Sequence, residues 1–349
     1  MNLFFELLQV SLGTRETLSR VPTDAEWGSL LEDAKGQFIV GLLFDGIERL
    51  PANQRPPEEK DELLYWIGWT QMAEMDAQRN LDRAVELSSL VRQAGYDSCV
   101  LKGAAVARYY PHFFRREYND IDLWVKSDRK GFMSWLCDNY TITHNVWHNV
   151  GVEIFEDVPV EIHFHPGWLW NPWHNRRLQC WFDNFWTKAE KDEKLGLSVM
   201  PIEFDAVFSL VHTFRHLVAE GICIKQYIDY FFILKQVNAE GLELRVKTFN
   251  VICDLGLEKF TSAIMWVFHK VFGMSSEELL CEPDEKEGRF LMQQVMSSGE
   301  PEDNEESKSD LKKSLVRRKL MIRHYPNEVR WMIPWKIWHW CWRKLYAVR

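Results

Sequence analysis

The stretch Asn119-Asp120-Ile121-Asp122-Leu123-Trp124-Val125 constrains this chain more than any other. From Ile121 to Val125 it is apolar except for Asp122. Such a run reads as a strand, and a strand sends residues i and i+2 to the same face. Asp120 and Asp122 are therefore expected to project together, with Ile121 and Leu123 turned into a core. Two like charges side by side repel, and they are costly to bury unpaired. Either this face is a solvated sheet edge, or both carboxylates hold a divalent cation, whose usual work is the handling of phosphates.

A second carboxylate strand follows. In Val160-Glu161-Ile162-His163-Phe164-His165 the period of two places Glu161, His163 and His165 on one face. A third carboxylate beside the Asp pair completes a set able to hold metal ions. The alternative is a sheet face with a solvated Glu and hydrogen-bonded histidines.

Upstream, 97–101 reads as a short buried strand that runs into Lys102-Gly103-Ala104-Ala105. Gly103 can adopt backbone angles other residues avoid, and Ala104 begins a short helix stopped by Pro111. A strand, a glycine turn and a helix N-terminus form a natural anion site; the same three parts also make an ordinary tight turn. Residues 1–95 read as four helices at about 1–10, 24–31, 38–50 and 58–94. After the Asp pair, Ser127 or Asp128 is expected to cap a helix through 139, and strands are expected at 141–149, 152–155 and 160–164. Residues 168–186 are aromatic and irregular. Helices are expected at 206–219, 224–237, 257–272 and 287–296. The first carries His212 and His216 at i, i+4, but no Glu follows His212, so this is not a zinc-protease signature.

Net charge is −9, which leaves no overall nucleic-acid footprint, and double-stranded nucleic acid is not expected as a partner. Seven scattered cysteines without a C-x-x-C pair argue for reduced thiols and a cytoplasmic location. The N-terminal apolar run contains Glu6 and reads as a helix, not a signal peptide. Residues 297–310 form an acidic tract expected to be a mobile loop. Beyond it, residues 311–349 hold eleven Lys and Arg against one acid, Glu328. Residues 330–349 interleave five Trp with basic side chains, which suits packing on the helical body, a membrane interface or an anionic partner.

Taken together, Leu101-Lys102-Gly103, Arg116 four residues before Asp120, Asp-Ile-Asp-Leu and Val-Glu-Ile-His resemble the uncharacterised nucleotidyltransferase family of the DNA polymerase β-like superfamily. The helical segment with His212, His216, Lys225, Gln226 and Asp229 is similar to that family's helical half. The resemblance covers about residues 85–240. It implies an α+β fold: a small mixed sheet flanked by helices, with N- and C-terminal helical regions. It divides the chain into 1–84 (helical), 85–170 (catalytic core), 171–296 (helical), 297–310 (acidic loop) and 311–349 (basic tail).

The implied reaction moves a nucleoside monophosphate from an NTP, such as ATP, to an acceptor hydroxyl and releases pyrophosphate. Two Mg²⁺ ions, or Mn²⁺ in their place, are expected on Asp120, Asp122 and Glu161. Gly103, Ala104 and the neighbouring amides would cradle phosphates, with Lys102 and Arg116 as charge partners. His163 would orient Glu161 or touch phosphate. His212, His216, Lys225 and Asp229 would serve the base, ribose or acceptor. One departure stands out: the phosphate loop is Gly103-Ala104 where the superfamily has Gly-Gly or Gly-Ser, so a hydroxyl contact is missing. A non-catalytic nucleotide-binding adaptor on the same fold is the competing reading.

Overall fold

The computed structural model describes residues 2–57, 60–297 and 308–346. Four helices open the chain: α1 (Leu3–Ser11), α2 (Asp24–Gly36), α3 (Val40–Arg49) and α4 (Asp61–Gln93). Their starts follow from local chemistry. The Asn2 side chain accepts from the Phe4 amide, and Thr23 and Glu26 form a reciprocal capping box.

The central part alternates strands and helices: β1 (Ser98–Val100), α5 (Ala104–Ala107), β2 (Ile121–Val125), α6 (Arg129–Asn139), β3 (Thr141–Asn145), β4 (Asn149–Glu153), β5 (Val160–His163), α7 (Pro172–Phe185), β6 (Glu190–Asp192) and β7 (Leu197–Val199). Eight helices complete it: α8 (Ile202–Ala219), α9 (Ile224–Glu240), α10 (Leu242–Asp254), α11 (Glu258–Lys270), α12 (Glu285–Ser297), α13 (Lys308–His324), α14 (Pro326–Val329) and α15 (Met332–Tyr346).

The seven strands form one mixed sheet in the order β3-β4-β5-β2-β1-β7-β6. β2 is antiparallel to β1 and parallel to β5, with Asp122 opposite Glu161 and Trp124 opposite His163. Ile121, Leu123 and Val125 join Val150, Val160 and Ile162 in a core that also takes Leu87 and Val91 of α4 and Phe132 of α6. Trp124, on the other face of β2, belongs to a second core with Phe182 of α7 and Phe204 and Phe208 of α8. The sheet is therefore covered on both faces, which is the fold class the resemblance implied.

Several elements differ from expectation. The strand expected at 141–149 is interrupted at 146–148, where the chain turns between β3 and β4. The irregular region 168–186 contains α7, started by Asn171, whose side chain accepts from the Trp173 and His174 amides, and by Pro172 at the first helical position. Its aromatic residues pack on Trp124 and Phe204. β6, β7 and α10 were not anticipated; three-residue strands carry too little periodicity to register. Most of the acidic tract expected to be a loop lies outside the described residues.

Candidate active site

The face of the sheet that carries Trp124 also carries the chemistry. Alternation along β2, β5 and β4 puts Asp122, Glu161 and Gly151 in one cross-strand row and Trp124, His163 and Asn149 in the next. A Cβ at Gly151 would collide with the His144 ring and the Thr143 hydroxyl, so the place of a side chain in this row is taken by residues of β3. His163 reaches back across the rows: its Nε2 lies 2.7 Å from Asp122 Oδ1 and 3.5 Å from Glu161 Oε2. Asn149 Nδ2 donates to Glu161 Oε2 at 2.5 Å. Lys102, at the end of β1, places Nζ 2.8 Å from Asp122 Oδ2.

This geometry sets the charges. Burial opposes ionisation of Asp122, but Lys102 and the His163 hydrogen bond outweigh it and hold the carboxyl well below the usual range. The His163 hydrogen bond likewise lowers Glu161 against its burial. Burial opposes protonation of His163, and the bonds to Asp122 and Glu161 overcome it, so the imidazole is raised. Asp120 behaves differently. Repulsion from Asp122, then burial, raises its carboxyl above the ordinary value.

Among the described residues, Asp122, Glu161 and His163 offer ligand atoms that all lie within 4.8 Å of one another. Two carboxylates and an imidazole are a donor set that divalent cations accept, harder ions through oxygen and Mn²⁺-like ions through both. The expected set had Asp120 in place of His163. Asp120 lies one residue before β2 begins and is not part of this group, although its carboxyl feels Asp122, Lys102 and Glu161.

Gly103 has φ +52°, a backbone conformation that favours glycine. An added Cβ there would sit 2.9 Å from the Tyr118 ring. The helix after it, α5, is a single turn of four residues, so its dipole contributes little. Arg116 and Asp229 were expected on the nucleotide side; instead they hold each other. Arg116 Nε and Nη2 donate to the two Asp229 oxygens at 2.7 and 2.8 Å, and Nη1 donates to the Gly103 carbonyl at 3.2 Å. This buried fork ties the glycine turn to α9. Lys225 donates to the Glu117 carbonyl at 3.2 Å, and burial, then Arg116, lowers its ammonium.

α8 closes the site from the other side. His212 lies near enough to Lys102 and His163 to feel both charges, and burial, then Lys102, drives its imidazole well below the ordinary value. Its ring is 4.4 Å from that of His216, whose Nδ1 pairs with Glu220 at 2.8 Å. Arg215 packs its guanidinium 4.4 Å over Trp168 and feels the charges of Glu220 and Glu161. Its Nε is buried without a hydrogen-bond partner. Arg215 and Asn149 are not singled out by the sequence motifs, yet both have a signal: Arg215 lies one turn after His212 on the same helix, and Asn149 alternates with Gly151.

The mixed sheet holds, in chain order, a short strand, a glycine turn, an acidic strand and a later carboxylate strand, the order of the motifs that carry the resemblance. The family of uncharacterised nucleotidyltransferases matches residues 23–273, and the chain belongs to that family. Among solved structures it is similar to an antigenic nucleotidyltransferase-like protein from Paracoccidioides brasiliensis, with 12% identity over 51% of this chain and 93% of that one, at a TM-score of 0.32. No curated protein matches the sequence.

Proposed function

We propose that this chain is a divalent-cation-dependent nucleotidyltransferase. An acceptor hydroxyl attacks the α-phosphorus of an NTP. The new P–O bond forms to the acceptor, the α–β bridging P–O bond breaks, and pyrophosphate leaves with its electron pair. Such in-line transfer needs positioning and charge neutralisation more than covalent help. A cation held by Asp122, Glu161 and His163 would supply neutralisation at the transferring phosphate.

The remaining roles fall to the chain's own groups. Lys102 and Arg215 are the cations available to phosphate oxygens, and Arg215 has an unused buried donor. Gly103, braced through Arg116, keeps the turn open for backbone approach. Asp120 is the better proton acceptor for the attacking hydroxyl, because its carboxyl is raised while those of Asp122 and Glu161 are lowered.

One observation carries this reading: Asp122 and Glu161 come from separate strands to opposite register positions, with His163 beside both. One observation favours the second reading, a nucleotide-binding adaptor. Lys102 already pairs with Asp122, so part of the negative charge of the site is met without a cation.

The test is transfer of label from α-labelled NTPs to extract components, with pyrophosphate measured in parallel. Asp122→Asn and Glu161→Gln should each lower the rate on the order of a thousandfold, as expected for losing several kcal/mol of charge stabilisation. Unchanged rates in both variants would reject the site. Cation-dependent NTP binding without pyrophosphate release would favour the adaptor.

A further inference from the structure

The helix α15 has its apolar side outward. Its inner face is packed: Trp335 stacks on Trp168 at 4.4 Å with planes 7° apart, His339 Nε2 accepts from the Trp147 amide, and Trp342 lies 4.8 Å from the Arg129 guanidinium. At 100° per residue, Ile333, Ile337, Trp340 and Lys344 fall on the opposite side. That side is exposed: Ile333 by 44%, Ile337 by 60% and Trp340 by 62%. An ordinary surface helix would carry polar residues there.

The charge around the stripe is uniform. Lys336, Arg343 and Lys344 are exposed, and no acidic residue occurs in α15. Lys344 Nζ lies 5.9 Å over the Trp340 ring, on the same side. Glu328, in the short helix before α15, is buried against His174 and the Asn171 amide, so it does not offset these cations. The chain as a whole carries net charge −9, yet its C-terminal segment is basic. No helix among the described residues is long and apolar enough to cross a membrane.

We propose that the outer face of α15 docks this protein onto an anionic lipid surface. Isoleucine and tryptophan enter the headgroup–acyl boundary, which tryptophan favours, while the flanking cations meet lipid phosphates. Apolar and cationic contacts reinforce each other only on such a surface; water rewards the cations alone, and an apolar protein groove rewards the stripe alone. The geometry also links docking to the site, because Trp335 stacks on Trp168 and Arg215 packs on the same Trp168.

The full-length protein should co-sediment with vesicles of phosphatidylcholine plus phosphatidylglycerol, weakly with phosphatidylcholine alone, and less as salt rises. Trp340→Glu should lower partitioning by about tenfold or more. Lys336→Glu with Lys344→Glu should lower it roughly fivefold per cation, and a circular dichroism melt checks that each variant is folded. Absence of pelleting with anionic vesicles, or equal pelleting of wild type and both variants, would overturn the proposal. So would a wild-type dimer in sedimentation analysis that Trp340→Glu splits, since the face would then be covered by a second copy.

Discussion

Arg116 grips Asp229 across 113 positions of sequence, with two parallel hydrogen bonds inside the protein. Tyr110 donates to the same carboxylate at 2.7 Å, and the free arm of the guanidinium holds the Gly103 carbonyl. The pair thus locks the Gly103 turn to α9. Losing one member leaves a buried charge alone, which is costlier than losing both. Arg116→Ala should destabilise the fold by about 3–5 kcal/mol in urea titration, and Arg116→Met with Asp229→Leu by clearly less. Additive losses in the double variant would mean that the two residues act separately.

The glycine at the turn can be tested apart from its brace. At Gly103 an L side chain meets both an unfavourable φ and the Tyr118 ring, and Tyr118 is buried with its hydroxyl donating to the Ala77 carbonyl at 3.1 Å. The ring therefore has little freedom to withdraw. Gly103→Ala should cost about 1–3 kcal/mol and weaken NTP binding measured by calorimetry. Wild-type affinity in a correctly folded variant would remove the turn from the binding site.

Lys102 would compete for Asp122 with the cation proposed there. The ammonium sits on Oδ2, and its own protonation, opposed by burial, is sustained by Asp122 and then Asp120. Lys102→Met removes the competitor and leaves the three ligands in place. Mn²⁺ affinity, read by electron paramagnetic resonance, should rise on the order of tenfold, while transfer falls because a phosphate contact is lost. A weaker Mn²⁺ complex in Lys102→Met would show that Lys102 supports the site instead of guarding it.

The legible parts of the sequence were those with a period. The alternation of 160–165 placed Glu161 and His163 together, and the Asp128 cap announced α6. Asp120 stands just ahead of β2, outside the group of close ligand atoms, yet its carboxyl feels Asp122 most strongly, and Lys102 and Glu161 as well. The resemblance puts Arg116 and Asp229 on the nucleotide side, and the fold adds a buried pairing between them. Their pairing depends on how α9 returns to the sheet, and no local pattern encodes that return. The tail was readable only halfway. Its tryptophans do pack on the body through Trp335 and Trp342, while Trp340 and Ile337 turn outward, a division set by where the helix lands.

His212 gives the site a pH signature. The unfolded chain binds a proton there near pH ~6.5, whereas the folded chain resists because burial, then Lys102, disfavours the imidazolium. Below that pH the unfolded state takes up more protons than the folded one, so the contribution of His212 is present above ~6.5 and lost as pH falls. His163 has the opposite sign: its raised imidazole contributes below ~6.5, and that contribution is lost as pH rises through the folded value. Comparing wild type with His212→Asn cancels the His163 part to first order, since both proteins retain it. The stability difference, wild type minus variant, should therefore shrink by up to about 1.4 kcal/mol per pH unit on acidification from ~6.5. A difference that stays flat from pH ~7 to ~5 would place His212 in water, away from Lys102, and would take α8 out of the site.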